Sequence, residues 1–333
     1  MSSDLTPPAP PRLLVRQSRW IAEDVVELRL VRRDGLPLPP WEPGAHVELT
    51  LPSGLRRTYS LCGDPAERAA WTVAVHLAPA GRGGSREIHT TALVGRELSV
   101  EGPVNRFPLL PAPGYLLLAG GIGVTPLLSM ARALAAGALP WRLVLGARDR
   151  SRLAYAEELT ALGGDRVRLV PEDEVGLPDL AAELAATPPG HAVYACGPAA
   201  MLDAVTELCR TAVPPRPLHV ERFGPAAGDG EDGAAAGDGE DGAADGRFEV
   251  VLRRSGLRFA VPADRSLLEA VRDRLPDVPY SCEEGYCGSC ETSVLAGTPD
   301  HRDSVIGPQE RATAMTMMIC VSRAASPVIE LDL

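Results

Sequence analysis

Four cysteines near the C-terminus have a spacing that suits an iron–sulfur cluster. Cys282, Cys287 and Cys290 follow the pattern C-x4-C-x2-C, and Cys320 lies 30 residues further on. Plant-type ferredoxins hold a 2Fe-2S cluster on cysteines at these intervals. A structural zinc site more often uses two short pairs, and the chain has no second C-x2-C. The spacing therefore predicts a one-electron carrier bound to these four thiolates.

A second candidate site consists of two turns that each follow an apolar segment. Gly120, Gly121 and Gly123 belong to the sequence A-G-G-I-G-V-T-P, which ends a predicted strand and opens a predicted helix. Backbone N–H groups at such a turn bind pyrophosphate. The segment Cys196-Gly197-Pro198 ends another predicted strand. Strand-to-helix turns without a ligand use the same glycines, so the pattern favours a nucleotide site without requiring one.

A third group of residues, in the first hundred positions, could hold a phosphorylated ring system. The segment Arg57-Thr58-Tyr59-Ser60 places a cation, a phenol and hydroxyl groups along one predicted strand. The segment Gly81-Arg82-Gly83-Gly84-Ser85 is a glycine-rich turn with its own cation. Either segment alone is common on β surfaces. Together they would bind a flavin phosphate and face the flavin ring.

The elements that must position these residues fall into three groups. Short β-rich segments separated by Gly and Pro predict an antiparallel barrel; they cover 12–16, 25–32, 46–51, 71–76 and 97–100. Apolar strands that alternate with helices predict a parallel sheet. The strands are 115–119, 142–146, 166–171 and 192–196, and the helices lie near 126–137, 153–163, 178–186 and 199–211. The last group is a hairpin, 247–253 with 257–261, and a helix near 266–274.

An acidic, glycine-rich segment separates the second and third groups. It contains GDGEDGA twice and has no large apolar side chain to offset the entropy of ordering, so we expect a flexible linker. A calcium-binding repeat is the alternative, but no bidentate glutamate stands at the required offset. The predicted domains are a tail (1–11), a flavin-binding barrel (12–110), a nucleotide domain (111–223), the linker (224–246) and a 2Fe-2S domain (247–333).

Composition excludes several functional classes. The chain has 333 residues, 45% of them hydrophobic, and a formal net charge of −11. An acidic surface argues against nucleic acid or anionic membranes as general partners. Apolar stretches are strand-sized and the N-terminus lacks signal-peptide features, so we expect a cytoplasmic protein. Seven cysteines, four of them clustered, favour a metal over disulfides.

The order of short motifs resembles the phthalate dioxygenase reductase and vanillate demethylase reductase family. The motifs are R-x-Y-S, G-R-G-G-S, G-P-x-N-x-F-P-L, G-G-I-G-x-T-P, C-G-P and E-R-F, followed by the ferredoxin-type cysteines. They cover nearly the whole chain outside the tail and the linker. The resemblance implies a multidomain protein: an antiparallel β-barrel flavin domain, an α/β parallel-sheet nucleotide domain and a C-terminal β-grasp ferredoxin domain. It implies electron flow from NADH through FMN to the 2Fe-2S cluster.

The resemblance also implies which residues bind each cofactor. FMN, rather than FAD, would contact Arg57, Thr58, Tyr59, Ser60, Ala74, Val75, His76, Gly83, Gly84, Ser85, Thr125 and Phe223. The dinucleotide would contact Gly120, Gly121, Gly123, Asp149, Cys196, Gly197 and Pro198. Ser60, near the reactive N5 of the flavin, and Cys196, near the nicotinamide, are the predicted catalytic residues.

Nucleotide choice and the electron acceptor stay open at this stage. Asp149 would accept a hydrogen bond from a ribose hydroxyl, whereas Arg148, Arg150 or Arg152 would pair with a 2′-phosphate. The family favours NADH, with NADPH as the alternative.

No C-x-H pair indicates a Rieske centre, so we expect the terminal oxygenase to be a separate chain. A haem monooxygenase is an alternative acceptor, and a redox sensor that uses the mobile domain is a third interpretation. Glu283 and Glu284, beside the cluster loop, predict a basic docking face on the acceptor. We expect a monomer.

Overall fold

The computed structural model divides the chain into two compact units, Met1–Glu221 and Arg222–Leu333. The residues that the structure describes are 10–79, 81–223, 246–280, 282–283, 285, 288–303, 305–307 and 310–333. Most of the predicted tail, the linker up to 245, Glu284 and Cys287 lie outside these residues.

The N-terminal unit begins with an antiparallel sheet of six strands. They are β1 (Arg12–Ala22), β2 (Val25–Val31), β3 (Ala45–Thr50), β4 (Arg56–Ser60), β5 (Trp71–His76) and β6 (Glu97–Asn105). They pair in the order β4-β3-β6-β1-β2-β5, and a bridge between Leu61 and Val73 brings the two ends together. Leu28 and Leu30 of β2 are fully buried and Arg29 between them is not, as expected for a sheet with one face on a core. The predicted barrel is confirmed. A short helix, α1 (Gly84–Thr90), follows β5.

The rest of this unit is a parallel sheet with helices. The strands are β7 (Tyr115–Gly120), β8 (Trp141–Ala147), β9 (Val167–Pro171), β10 (Ala192–Cys196) and β11 (Leu218–Glu221). The helices are α2 (Val124–Ala135), α3 (Ala156–Gly163), α4 (Glu172–Val175), α5 (Leu180–Ala185) and α6 (Ala199–Thr211). The order β11-β10-β7-β8-β9 makes β7 and β10 neighbours although four α-helices and two strands separate them in sequence. The predicted parallel sheet is confirmed.

The C-terminal unit is a mixed sheet with one described helix. Its elements are β12 (Phe248–Leu252), β13 (Leu257–Val261), α7 (Leu267–Arg272), β14 (Glu291–Ala296), β15 (Pro299–Asp300), β16 (Thr316–Met318), β17 (Arg323–Ala324) and β18 (Val328–Leu331). The main sheet has the order β13-β12-β18-β14-β16, with β12 and β18 parallel. Ser266 caps α7 and bonds reciprocally with Glu269, a strong helix-start signal. The buried face of α7, including Leu267 and Val271, belongs to the same core as β12 and β18.

Element boundaries differ from the sequence prediction in places that have a common cause. β1 continues to Ala22, six residues beyond the predicted end, because its second half forms a hairpin ribbon with β2 in which most side chains are exposed. α4 and β11 were not predicted, because neither contains a fully buried residue that would establish a hydrophobic periodicity in sequence. Among the described helices, none has the length and apolar character needed to cross a bilayer.

Candidate functional site

The two predicted nucleotide-binding turns meet at one edge of the parallel sheet. β7 ends at Gly120, a single helical turn covers Gly121–Gly123, and α2 begins at once. Neighbouring β10 ends at Cys196, directly before Gly197. From β7 the chain proceeds to β8 on one side, whereas β10 lies on the other side. The carboxyl ends of β7 and β10 therefore form the switch point at which open α/β sheets bind ligands.

The turns touch through their backbones, and glycine makes this contact feasible. A Cβ atom on Gly123 would lie 2.2 Å from the carbonyl oxygen of Cys196 and 2.7 Å from the nitrogen of Gly197. A Cβ atom on Gly120 would lie 2.4 Å from Cδ of Pro198. A Cβ atom on Gly121 would face open space. The open space at Gly121, where a helix begins, is compatible with the predicted binding of a pyrophosphate.

A polar cluster adjoins this switch point and joins it to the barrel. Glu221 is the register partner of Cys196 across β10 and β11. Its Oε2 lies 3.4 Å from Oγ of Ser60, the last residue of β4. Burial raises the pKa of Glu221 to about 8, although the hydrogen bond from Ser60 acts in the opposite direction. At neutral pH the carboxyl group is therefore mainly protonated.

The thiol of Cys196 stays neutral in this cluster. Burial, followed by the nearby Glu221 carboxyl, raises the pKa of Cys196 well above its usual value. A neutral buried thiol is a weak nucleophile. Ser60 lies beside Glu221, which is the register partner of Cys196, so the structure brings the two predicted catalytic residues into one buried cluster.

The predicted phosphate-binding residues come from β4, which carries Arg57, and from the start of α1, which Gly83 caps. The guanidinium group of Arg57 donates to the carbonyl oxygens of Arg56 at 2.7 Å and Arg82 at 2.9 Å. A Cβ atom on Gly84 would lie 2.6 Å from Cγ of Arg57, so a glycine here lets the arginine lie against the turn. Gly83 caps α1 with a φ of +87°, and the first N–H groups of a helix have no partner within it. A fixed cation beside such N–H groups fits the phosphate of FMN.

Four more predicted flavin residues of the barrel domain lie on β5 and at the start of α1. Ser85 Oγ accepts a hydrogen bond from the N–H of Ala78 at 3.1 Å, which ties α1 to the segment after β5. Ala74 and Val75 on β5 are buried, whereas His76 is exposed. β5 lies beside β4, α1 and the Gly121–Gly123 turn, so it connects the two candidate ligand sites.

Four other predicted flavin residues have different surroundings. Tyr59 packs on the barrel core, and burial raises the pKa of its phenol, which therefore stays protonated. Thr58, between Arg57 and Tyr59 on β4, is partly buried. Thr125 is buried at the start of α2 and donates to the carbonyl oxygen of Ile122 at 3.0 Å. Phe223 lies two residues beyond the N-terminal unit, so its place beside the flavin stays a prediction.

Asp149 follows β8, next to β7 in the sheet, and is already hydrogen-bonded. Oγ of Ser151 lies 2.6 Å from its Oδ1, and Nε of Arg152 donates to its Oδ2 at 3.1 Å. The bond from Ser151, followed by the charge and the bond of Arg152, lowers the pKa of Asp149. The carboxylate is ionised and can accept further hydrogen bonds. Of the predicted alternatives, Arg150 pairs with Glu174 through two bonds, at 3.0 Å and 2.7 Å.

The cluster cysteines converge in the C-terminal unit. Cys282, Cys290 and Cys320 are buried, and the thiol of Cys320 makes side-chain hydrogen bonds with the other two, which raise its pKa. Cys290 directly precedes β14 and Cys320 follows β16. Gly285 and Gly288 have φ of +74° and +72°, so the loop winds tightly as a cluster-binding loop must. The three described cysteines therefore contact one another beside this loop, and their role as cluster ligands stays a prediction. Cys287, the fourth predicted ligand, lies outside the described residues.

Two residues that the structure brings to the sites were missed in the sequence. Glu221 stands within E-R-F, but no local pattern links it to Ser60, which is 161 positions earlier. Asp303 is 1% exposed and accepts hydrogen bonds from the N–H groups of Val305 and Ile306 and from the hydroxyl of Ser322. A Cβ atom on Gly285 would lie 3.1 Å from Cα of Asp303, which places this aspartate directly behind the cluster loop.

Comparison with protein families supports a nucleotide-binding domain followed by a 2Fe-2S domain. The family model described as "2Fe-2S iron-sulfur cluster binding domain" matches residues 250–325. The model described as "Oxidoreductase NAD-binding domain" matches residues 117–207, which include both nucleotide turns.

Relatives match over nearly the whole chain. Phenoxybenzoate dioxygenase subunit beta of Ectopseudomonas oleovorans is 43% identical over 98% of each chain. Phthalate dioxygenase reductase of Burkholderia cepacia is 38% identical over 97% of each chain. The chain belongs to the phthalate dioxygenase reductase family. It is an oxidoreductase that carries electrons from NADH through FMN to a 2Fe-2S cluster.

Solved structures agree with this assignment. A structure of phthalate dioxygenase reductase, described as modular for electron transfer from pyridine nucleotides to [2Fe-2S], matches with a TM-score of 0.72 and 38% identity over 97% of this chain and 98% of that one. An intact type IV self-sufficient cytochrome P450 monooxygenase matches with a TM-score of 0.80 and 38% identity over 98% of this chain. The chain spans only 41% of that longer protein.

Proposed function

We propose that this chain is the reductase component of an oxygenase system and delivers electrons singly to a separate, Rieske-type oxygenase or demethylase. The observation that carries the proposal is the junction at which Ser60 of the barrel meets Glu221 beside Cys196, at the edge of the parallel sheet. A flavin held by the barrel and a nicotinamide held by the sheet would come face to face at this junction. The names of the full-length relatives support an oxygenase as the acceptor.

In this proposal the barrel and the parallel sheet each bind the phosphate groups of one cofactor. Arg57 and the turn at Gly83, Gly84 and Ser85 would bind the FMN phosphate, with β5 and Tyr59 along the ring. Gly120, Gly121 and Gly123, with the turn Cys196-Gly197-Pro198, would bind the dinucleotide. FMN, when bound, accepts two electrons from NADH and releases them one at a time. The protein's part is to hold the two rings in register and to exclude water.

The residues at the junction would control protons. Glu221 holds a proton on its carboxyl group at neutral pH because burial raises its pKa to about 8. The Ser60 hydroxyl, 3.4 Å from Glu221 Oε2, would lie between this carboxyl group and a ring held by the barrel, and it can form hydrogen bonds with both. The neutral thiol of Cys196 would border the nicotinamide without attacking it.

The order of transfer is testable with two cysteine variants. Cys290→Ser removes a cluster ligand, whereas Cys209→Ser is a matched control because Cys209 is a buried cysteine in α6, outside the cluster spacing. We expect C290S to retain rapid flavin reduction by NADH in stopped-flow measurements and to lose transfer to an oxygenase acceptor. C209S should retain both. Equal loss of both steps in C290S would reject the sequence NADH, flavin, cluster, acceptor.

A haem monooxygenase is a second candidate acceptor. The structural match to a self-sufficient cytochrome P450 monooxygenase supports it, because this chain corresponds to part of a protein that contains its own P450. Reduction assays with a purified Rieske oxygenase and with a bacterial P450, at equal concentrations, distinguish the two. Faster reduction of the P450 would favour the second candidate.

We also propose the domain limits 12–110, 111–223 and 247–333, and a monomer. The described barrel, parallel sheet and mixed sheet support these limits, since each element falls within one of the three ranges. Limited proteolysis tests the limits, and sedimentation tests the monomer.

A further inference from the structure

The loop that follows β8 is tied to the turn between β1 and β2 by charged hydrogen bonds. Arg152 donates to Oδ2 of Asp149 at 3.1 Å, to Oδ2 of Asp24 at 3.0 Å and to Glu23. The backbones join as well, since the N–H of Glu23 donates to the carbonyl oxygen of Ser151 at 2.9 Å. One guanidinium group thus connects the candidate ribose acceptor to both residues of a turn in the flavin barrel.

The barrel turn has an unusual backbone that serves this connection. Asp24 has a φ of +60°, a conformation that glycine adopts readily and other residues rarely do. A glycine would fit the turn without strain but would have no carboxylate for Arg152. Ser151 adds a second link, because its Oγ lies 2.6 Å from Oδ1 of Asp149 and 2.8 Å from Oε2 of Glu23. The Ser151 hydroxyl has one proton, so it donates to only one of these two carboxylates at a time.

The charges around this loop do not suit a 2′-phosphate. Three guanidinium groups, Arg148, Arg150 and Arg152, stand among five carboxylates; these are Glu23, Asp24, Asp149, Asp173 and Glu174. Arg150 and Arg152 already bond to carboxylates, and Arg148 is exposed. A dianionic phosphate would therefore meet an excess of negative charge. A neutral ribose hydroxyl would meet an ionised acceptor held in a fixed orientation.

We infer that Arg152 is a positioning residue for nucleotide selection. It orients Asp149 towards the ribose hydroxyls and is itself unavailable to a 2′-phosphate. Through Glu23 and Asp24, the flavin barrel takes part in choosing NADH over NADPH. This inference rests on the proposed role of Asp149 in binding the nucleotide.

Steady-state kinetics of the full chain, loaded with FMN and cluster, test the inference with ferricyanide as electron acceptor. Asp149→Asn and Arg152→Gln should each raise the KM for NADH about tenfold, the loss of one hydrogen bond to a charged group, with kcat changed less than about twofold. The double variant should resemble D149N, because Arg152 acts through Asp149. D24N should give a smaller increase. Arg210→Gln, which breaks an exposed pair with Glu207 on α6, should change nothing.

Competing outcomes are separable. A KM for NADPH that rises more than the KM for NADH in R152Q would make Arg152 a phosphate ligand and overturn the inference. Additive effects of D149N and R152Q would also overturn it and leave the proposed function intact. An unchanged KM for NADH in D149N would instead reject the nucleotide site as proposed. The FMN content of each variant shows whether it has folded. Inhibition constants for ADP-ribose and 2′-phospho-ADP-ribose then show whether discrimination between the two nucleotides has been lost.

Discussion

Replacing Gly123 by alanine tests whether the contact between the two nucleotide turns is required. The backbone of Gly123 has a φ of −59°, which alanine adopts easily, so the effect would be steric rather than conformational. The added Cβ atom would lie 2.2 Å from the carbonyl oxygen and 2.4 Å from the carbonyl carbon of Cys196. Relief of this overlap requires the turns to move apart by about 1 Å, because nonbonded heavy atoms rest at roughly 3.5 Å. Both contacts are backbone atoms, so no side chain can rotate out of the way.

A displacement of this size at the junction should be costly. A misplacement of about 1 Å lowers the rate of a positioned reaction roughly 100-fold, or about 2.7 kcal/mol in kcat/KM for NADH. The matched control is Gly137→Ala, just beyond the other end of α2, where the nearest atom to the new Cβ is 3.6 Å away. NADH-dependent flavin reduction by stopped flow, with FMN content measured in parallel, is the assay. Unchanged kinetics in G123A, or equal losses in G123A and G137A, would refute the reasoning.

Three further predictions address charge. Burial raises the pKa of Glu221 from 4.5 to about 8, so the folded protein retains a proton that the unfolded chain releases. The contribution of Glu221 to the free energy of unfolding is therefore complete below about pH 4.5 and is lost as pH rises through 8. The Tm of wild type should therefore fall from pH 5 to 8 relative to that of Glu221→Gln, and parallel Tm curves would contradict this. Glu183 is buried and accepts hydrogen bonds from Arg142 at 2.8 Å and Arg168 at 2.6 Å. Glu183→Gln should lower the free energy of unfolding, measured by urea titration, by about 2 kcal/mol. This value already allows for solvent screening, because both arginines are half-exposed. Electron transfer to the oxygenase should slow as salt rises from about 0.02 to 0.5 M if acidic groups such as Glu283 steer docking, and a flat profile would exclude steering.

Several features of the fold and site follow from the sequence because they depend on local spacing. The strand at 71–76 and the helix at 199–211 were predicted at the boundaries that the structure has, since Pro198 and Pro214 flank the helix and the strand is a short apolar segment that ends before Pro79. The glycines at 120–123 lie at a strand-to-helix turn, as predicted. The spacing of the cysteines identified the cluster domain without any tertiary information, and a family model matches the same region.

Other features depend on which strands become neighbours, and local sequence does not encode this. Glu221 meets Ser60 only because β11 extends the parallel sheet towards the end of β4. Burial at that junction, rather than residue type, then raises the pKa of Glu221 to about 8.

The loop that follows β8, residues 148–152, shows the same division. Its sequence left Asp149 and three arginines as alternatives for binding the 2′ position of the nucleotide, with NADH favoured only by the family resemblance. The tertiary structure assigns Arg150 to Glu174 and Arg152 to Asp24, the latter contact joining residues 128 positions apart. The partner of Arg150 depends on β8 and β9 being neighbours, and the contact of Arg152 with Asp24 depends on the barrel turn lying beside this loop. The sequence by itself therefore determined the modules and their cofactors, whereas the tertiary structure decided which side chains meet where the flavin and nucleotide modules adjoin.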